Sequence, residues 1–219
     1  MPKIDFKHSQ SAHCENGVTS NLLRYHDLHV SEPMVFGIGS GLFFSYLPFI
    51  KLNYLPVTSY RILPGMIFSR AARRLGVKMK IRKFRNPEKA MAELDKMLAL
   101  GIPVGLQTSV FYLPYLPKQL RFHFNAHNIV VYGKENACPD KGGGYYSVSD
   151  PGMEQTSLIS YDDLVRARFA KGIAAPRGKM YYPTEVPTEA NLKEAIIKGI
   201  RQTANDMLNV PFNYFGIIK

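Results

Sequence analysis

The stretch Gln10-Ser11-Ala12-His13-Cys14-Glu15-Asn16-Gly17 lies just inside the amino terminus, directly before apolar residues at helical spacing, Val18, Leu22 and Leu23. This spacing predicts a helix over residues 14–26. A thiol in the first turn of a helix lies at the positive end of the backbone dipole, which favours the thiolate. Because the thiolate is the form that attacks carbonyl carbons, we interpret Cys14 as a nucleophile.

A second segment of interest leads through two histidines into an apolar strand predicted over residues 127–132. Another strand is predicted over residues 145–149, and Asp150 follows it directly. Neighbouring antiparallel strands bring such positions side by side, so Asp150 can orient the His127 imidazole. Cysteine on an early helix, then histidine and aspartate on adjacent strands, is the order found in papain-like cysteine enzymes.

Alternatives to this assignment remain open in the sequence. His123 competes with His127 as the base, and Asn125 or Asn128 could orient the histidine if Asp150 points elsewhere. Zinc is disfavoured, because the candidate ligands lack the usual local spacing. Those ligands would be His13, Cys14, His123 and His127.

Four segments of the chain resemble the N-terminal domain of the butirosin biosynthesis protein H family. They are HCENGVTSNLLRYHDLHVSEPMVFGIGSGLFFSY (13–46), GIPVGLQTSVFYLPYL (101–116), RFHFNAHNIVVYG (121–133) and VSDP (148–151). The resemblance covers roughly residues 10–182 and implies an α+β, papain-like cysteine-peptidase fold, with an N-terminal nucleophile helix packed on an antiparallel sheet. It also implies kinship with bacteriocin-processing peptidases. The named member of the family moves an acyl group from an acyl carrier protein thioester to an aminoglycoside amine.

The resemblance implies roles for three residues, and the chemistry of acyl transfer suggests candidates for the other roles. Cys14 matches the nucleophile, His127 the base and Asp150 the orienting acid. The Cys14 amide and the Gln10 side chain are candidates for the oxyanion site, and the loop over residues 111–116 is a candidate for excluding water. Gln10 and Glu32 could equally cap helices. The candidate pocket residues are His13, Glu32, Tyr112, His123 and Asn125.

The chain is strongly basic, with 28 lysines and arginines against 17 acidic residues and a net charge of +11. Such an excess favours an acidic partner, which could be nucleic acid, an anionic membrane surface or an acidic carrier protein. No nucleic-acid motif is present, and a basic run is often only a solvated face. The candidate carrier-docking residues are Arg70, Arg73, Arg74, Lys78, Lys80, Arg82, Lys83 and Arg85.

The sequence predicts two regions. Residues 1–183 form the catalytic domain, and residues 184–219 form a C-terminal helix or the start of a second, truncated domain. We expect Thr188 to cap that helix, which runs to about Leu208. Its expected apolar face contains Leu192, Ile196, Ile197 and Ile200.

The cellular setting is predicted from cysteine usage and hydropathy. The first ten residues lack a signal-peptide core, and no run approaches the ~18 apolar residues of a spanning helix. Two cysteines, Cys14 and Cys138, offer no disulfide framework, so a cytoplasmic protein is expected. Cys138 is interpreted as a small buried residue or part of an exposed loop.

Several further elements are predicted between these landmarks. Residues 34–47 are almost wholly apolar and predict a buried helix with closely packed glycines, and residues 48–64 predict an irregular connection. Further helices are expected at 64–75, 87–100 and 161–169. Strands are expected at 77–84, 103–108 and 179–182, the first as an edge strand with a basic outer face.

From these observations we expect a cysteine acyltransferase. Its donor is the phosphopantetheine thioester of an acyl carrier protein or acyl-CoA, as a substrate arm and not a bound cofactor. Its acceptor is an amine or hydroxyl on a small molecule or lipid, in secondary-metabolite or lipid biosynthesis. The alternatives are a cysteine hydrolase (peptidase, amidase or thioesterase) on the same residues and a non-catalytic carrier-binding module.

Overall fold

The computed structural model describes residues 4–52, 54–135 and 144–209. The described helices are α1 (Cys14–Tyr25), α2 (Glu32–Ile38), α3 (Met66–Arg74), α4 (Pro87–Ala99), α5 (Tyr161–Arg168) and α6 (Leu192–Asn209). The described strands are β1 (Leu42–Leu52), β2 (Leu55–Arg61), β3 (Lys78–Arg82), β4 (Val104–Thr108), β5 (His127–Glu135), β6 (Tyr145–Ser149), β7 (Ser157–Ser160) and β8 (Met180–Glu185).

A six-stranded antiparallel sheet forms the centre of the molecule, with strand order β3-β8-β4-β5-β6-β7. Helix α1 packs on β5, β4 and β8, which carries the cysteine over the middle of the sheet. The apolar residues Val18 and Leu22 of α1 are buried together with Leu106 and Ile129 of the sheet. The α+β class and the nucleophile helix on an antiparallel sheet are therefore confirmed.

A second apolar cluster joins α2, α3 and α6 beside α1. Val35, Ile67, Ala71 and Ala195 lie at its centre and are almost completely buried. The two clusters share the flanks of α1, so the helix that carries Cys14 is buried over most of its length. The site helix is consequently part of the rigid core.

Most predicted elements are present within a few residues of their expected bounds. Helix α4 begins as expected, because the Asn86 side chain accepts a hydrogen bond from the Lys89 amide at 2.7 Å and Pro87 occupies the first turn. Strand β3 lies at one edge of the sheet and carries the expected basic residues. The predicted hairpin over residues 127–149 is the antiparallel pair β5–β6.

The helix predicted over residues 34–47 is wrong. Helix α2 stops at Ile38, Ser40 takes a positive φ of 53°, and the chain continues as β1. The connection predicted as irregular forms the rest of a β1–β2 hairpin, a two-stranded sheet of its own. Aromatic and β-branched residues favour strands over helices, and in a two-stranded sheet proline is tolerated at the exposed edges.

The close packing expected of the glycines in and directly after α2 holds for two of the three. A Cβ at Gly39 would lie 2.6 Å from Ile67, and one at Gly41 would lie 2.4 Å from the Phe36 ring. A Cβ on Gly37 would meet nothing within 4 Å. Ser31 precedes α2 directly, and its side chain makes no capping hydrogen bond.

The start and buried face of the last helix also differ from expectation. Asn191 caps α6 in place of Thr188, its side chain accepting from the Glu194 amide at 3.0 Å. The buried face contains Ala195 and Gly199, whereas Ile200 is exposed. Small residues face α2 because the helices nearly touch: a Cβ on Gly199 would lie 2.5 Å from a backbone oxygen of α2.

Three further points complete the fold. The sequence does not predict strand β7, because four residues are too few to show an alternating pattern of apolar and polar side chains. Cys138 and the apolar residues 212–219 lie outside the described residues. Within residues 4–52, 54–135 and 144–209, no helix combines the length and apolarity needed to cross a bilayer.

Candidate active site

The structure brings together the three side chains singled out in the sequence. Cys14 is the first residue of α1, His127 the first of β5, and Asp150 follows β6 directly. The His127 Nε2 atom lies 2.8 Å from Asp150 Oδ2, and the same ring hydrogen-bonds the Cys14 thiol. Because Nε2 faces the carboxylate, Nδ1 remains for the sulfur. Cys14 is a half-buried free thiol.

The electrostatics of this trio favour charge separation. Burial alone would raise the pKa of the Cys14 thiol, but the hydrogen bond and charge of His127 outweigh it and hold that pKa below its ordinary value. Burial opposes protonation of His127, yet its hydrogen bonds to Asp150 and Cys14 raise its pKa from 6.5 to about 10. A thiolate beside an imidazolium is the reactive form of a cysteine nucleophile.

Asp150 is buried but held in its charged form by three donors. Besides His127, the Tyr115 hydroxyl donates to Oδ2 at 3.0 Å and the Gly152 amide donates to Oδ1 at 2.9 Å. Burial raises the pKa of Asp150, and these donors together with the His127 charge lower it by more. Tyr115 lies in the loop expected to exclude water, but the sequence did not single it out.

Asn128 is a second residue at the thiol. Both its backbone and its side chain hydrogen-bond Cys14, which lowers the pKa of the sulfur further. The Asn128 amide is itself fixed, since its Oδ1 accepts from the Tyr181 hydroxyl at 2.9 Å and its Nδ2 donates to the Ala126 carbonyl at 3.0 Å. Asn128 therefore contacts Cys14, while Asp150 hydrogen-bonds His127.

A buried ion pair stands next to the cysteine. Glu15 is 1% exposed and accepts from Arg61 Nη2 at 2.5 Å, from the Gly65 amide at 3.1 Å and from the Phe68 amide at 3.2 Å. Arg61 also donates to His13 Nε2, which requires a neutral imidazole. Burial and the Arg61 charge lower the pKa of His13 to about 4. His13 is thus uncharged beside Cys14 at neutral pH.

The chain around Gly17 closes the site from the other side. The Ser11 amide donates to the Pro151 carbonyl at 2.8 Å, which ties the segment before α1 to the residue after Asp150. A Cβ on Gly17 would lie 2.6 Å from Ser11 Cβ and 2.7 Å from Pro151 Cβ. A glycine is needed here because both neighbours approach the helix backbone directly.

The remaining candidate pocket residues have other partners. Glu32 accepts from Asn16 Nδ2 at 3.2 Å. The ring of His123 is exposed and stacks on Phe111 with centroids 4.1 Å apart. It is His127, and not His123, that lies between Cys14 and Asp150.

The other two candidates support loops. Asn125 is buried and donates to the carbonyls of Lys171 and Ile173 at 3.1 and 2.9 Å. It therefore supports the loop that contains these two residues and does not pair with His127. Tyr112 packs edge-on against Phe111. Gln10 is exposed, and its side chain makes no hydrogen bond to the described residues.

The eight basic docking candidates divide into two groups. Arg70 pairs with Asp206 at 2.8 Å, Lys78 with Glu185 at 2.8 Å and Arg82 with Glu93, while Arg74 donates to the Ile38 carbonyl. The other four are exposed and have no ion pair within the described parts of the chain. They are Arg73, Lys80, Lys83 and Arg85.

Among the residues that the structure describes, no three histidines, cysteines or carboxylates cluster as metal ligands would. His13 is held by Arg61 and His127 by Asp150, so their ring nitrogens are already engaged. The His127 ring thus lies between the Cys14 thiol and the Asp150 carboxylate.

The fold has the architecture of papain-like cysteine enzymes. It is similar to a structure described as a C39-like peptidase from Bacillus anthracis, with a TM-score of 0.55, 15% sequence identity, and coverage of 85% of this chain and 100% of that one. The peptidase domain of Streptococcus ComA, a bifunctional ABC transporter involved in a quorum-sensing pathway, matches with a TM-score of 0.49, 13% identity and coverage of 83% and 98%.

The chain belongs to the family described as "Butirosin biosynthesis protein H, N-terminal", which matches residues 13–151. Residues 162–218 match a second family, "Domain of unknown function (DUF4872)". No curated protein matches the chain. The family suggested by the sequence segments is therefore confirmed, whereas the domain boundary at residue 183 stays a prediction.

Proposed function

We propose that this protein is a cysteine acyltransferase that takes an acyl group from an acyl carrier protein or acyl-CoA thioester and passes it to an amine or hydroxyl acceptor. The observation that carries the proposal is the His127 ring, placed between the Cys14 thiol and the Asp150 carboxylate. This arrangement supports nucleophile, base and orienting roles for Cys14, His127 and Asp150.

The reaction has two balanced halves. The Cys14 thiolate attacks the thioester carbonyl, the donor sulfur leaves with the proton of His127, and the acyl group remains on Cys14. The acceptor then loses a proton to His127 and attacks the acyl-enzyme, which releases the Cys14 thiolate. Exchange of one thioester for another is nearly isoenergetic, so the first half is reversible. The Cys14 amide and Gln10 are proposed to face the oxyanion.

The surroundings supply the other requirements of transfer. The 111–116 loop contacts Asp150 through Tyr115 and buries Leu113 and Leu116 in the core, which supports a role as a fixed wall that limits water. The exposed cations Arg73, Lys80, Lys83 and Arg85 support docking of an acidic carrier protein. The family description supports a biosynthetic role, and we propose that the reaction takes place in the cytoplasm.

The test uses an acyl-pantetheine donor without acceptor. We expect intact-protein mass spectrometry to show one acyl group on the wild type, mapped to Cys14, and none on Cys14→Ser. His127→Ala should acylate at least a hundredfold more slowly, because the thiol loses its base. Acylation of Cys14→Ser at the wild-type rate would refute the proposal.

A hydrolase on the same residues is the second candidate, favoured by the likeness to a C39-like peptidase. The two activities separate when an amine is added to the acylated enzyme. Transfer predicts an amide product that grows with amine concentration, whereas hydrolysis predicts free acid at an unchanged rate. A non-catalytic carrier-binding module predicts that Cys14→Ala keeps its biological activity.

A further inference from the structure

The β1–β2 hairpin exposes large apolar side chains in an unusual concentration. Phe49 is 84% exposed and Tyr54 is 94% exposed, both near the end of the hairpin. Contiguous apolar surface of this kind is rare on monomeric proteins and marks an interaction site. The other exposed apolar residues of this region are Leu42, Tyr46, Ile50, Leu55, Tyr60 and Leu63.

The charge of the same segment is one-sided. Residues 42–63 contain Lys51 and Arg61 but no aspartate or glutamate. Lys51 is exposed and lies between the two apolar positions Ile50 and Tyr54. The hairpin end therefore presents apolar side chains and a cation to the same surroundings, without a carboxylate to repel an anionic surface.

The apolar surface continues from the base of the hairpin onto α6. A groove of about 440 Å³ is lined by apolar residues of α2, β1 and α6, among them Phe36, Leu42, Ile196 and Ile200. Ile200 is itself exposed, so the groove is open to an apolar partner.

We propose that the hairpin end docks this protein on the surface of an anionic lipid bilayer. Exposed aromatic residues next to a lysine suit the interfacial zone of a bilayer, where the lysine meets lipid phosphates. Peripheral binding needs an apolar and an electrostatic contribution together, and Phe49, Tyr54 and Lys51 supply both. A second copy of the chain would instead bring its own hairpin lysine against this one. The inference does not rest on the proposed function.

The experiment is vesicle flotation of the purified chain. Wild type should float with vesicles of equal parts phosphatidylcholine and phosphatidylglycerol, less at high salt, and hardly at all with phosphatidylcholine alone. Phe49→Ser/Tyr54→Ser and Lys51→Glu should each lower the bound fraction about tenfold. The control Leu100→Ser, 63% exposed outside this surface, should bind like wild type. Circular dichroism confirms that each variant is folded.

Several outcomes would overturn the proposal. One is that the wild type fails to float with vesicles that contain phosphatidylglycerol. A second is that Leu100→Ser loses as much vesicle binding as the hairpin variant. Another is a dimer in analytical ultracentrifugation that Phe49→Ser/Tyr54→Ser dissociates without any vesicle binding, which would assign the surface to a second copy. Cys14→Ser should bind vesicles like wild type, so failure of the acyltransferase proposal is distinguishable.

Discussion

At the scale of single residues, the charge on Asp150 organises the site. The carboxylate is buried, yet three donors hold it ionised, so it can keep a proton on His127. That proton in turn stabilises the Cys14 thiolate, which Asn128 also contacts. Because each charged group stabilises the charge on its neighbour, removal of one group should change the pKa of another.

The first prediction concerns the pH dependence of Cys14 alkylation. Wild type should react with iodoacetamide at pH values below the ordinary thiol pKa of about 8.5. His127→Ala should move the midpoint of that reaction to higher pH, because the thiol loses a hydrogen bond and a positive neighbour while burial remains. Rates come from quenched mass spectrometry. His123→Ala is the control, and an equal displacement there would contradict the assignment.

The second prediction concerns Tyr115. Tyr115→Phe removes a hydroxyl that donates to the Asp150 carboxylate, so the Asp150 pKa should rise and the acidic limb of the activity profile should move to higher pH. The free energy of unfolding should fall by about 2 kcal/mol, as for other hydrogen bonds to charged groups. Tyr112→Phe, in the same loop but without a bond to Asp150, should leave both measurements unchanged.

At the scale of elements, the start of α1 is held from three directions. Glu15 binds the amino-terminal amides of α3, Gly17 packs against the residue after Asp150, and Asn16 bonds Glu32 of α2. These contacts fix Cys14 on the rigid core instead of on a loop. The site can therefore keep its geometry without a substrate present.

The third prediction tests the buried pair beside Cys14. Glu15→Gln should lower the free energy of unfolding by about 3 kcal/mol, because it leaves Arg61 without its buried counter-ion. Glu185→Gln breaks an exposed pair with Lys78 and should cost no more than about 0.5 kcal/mol. Chemical denaturation measures both. Equal losses in the two variants would show that Glu15 does not anchor the helix.

The fourth prediction compares two glycines. Gly17→Ala should destabilise the protein by about 1–3 kcal/mol and slow acylation, since its methyl group would push Pro151 away from α1. Gly37→Ala, within helix α2, has open space and should instead stabilise by about 0.5–1 kcal/mol. Thermal unfolding and the acylation rate of both variants provide the measurements. A stabilising Gly17→Ala would contradict the packing.

At the scale of the whole molecule, the sequence predicted elements whose signals are local. Asn86 and Pro87 mark the start of α4, and His127 and Asp150 follow from adjacent strands. The bonds of Tyr115 and Arg61 to the site were not predictable, because each joins residues far apart in the sequence.

The β1–β2 hairpin was missed for a different reason. Its apolar residues lack the burial that gives a strand its alternating pattern, so an apolar run of this kind is ambiguous between helix and strand. The predicted start and buried face of α6 differ from the observed ones for a related reason, since small residues such as Gly199 form the buried face. Hydropathy marks large apolar residues, and here several of those face outward.

The fifth prediction concerns acid stability. The pKa of His13 is about 4 in the folded protein and about 6.5 when unfolded, so between these values the unfolded state binds the additional proton. Stability should consequently fall as the pH drops from about 6.5 towards 4. His13→Gln should lose less stability than wild type over this interval in chemical denaturation at pH 7 and pH 5. His123→Gln, at an exposed site, should follow wild type.

The position of β8 between β3 and β4 has a consequence for biosynthesis on the ribosome. In the described part of the chain β3 has β8 as its neighbour, and 98 residues separate Arg82 from Met180 (180 − 82). At about 5–20 residues per second, the nascent β3 waits roughly 5 to 20 seconds for its partner. The lysines and arginine of β3 repel other unpaired strands meanwhile, which protects the emerging polypeptide from premature association.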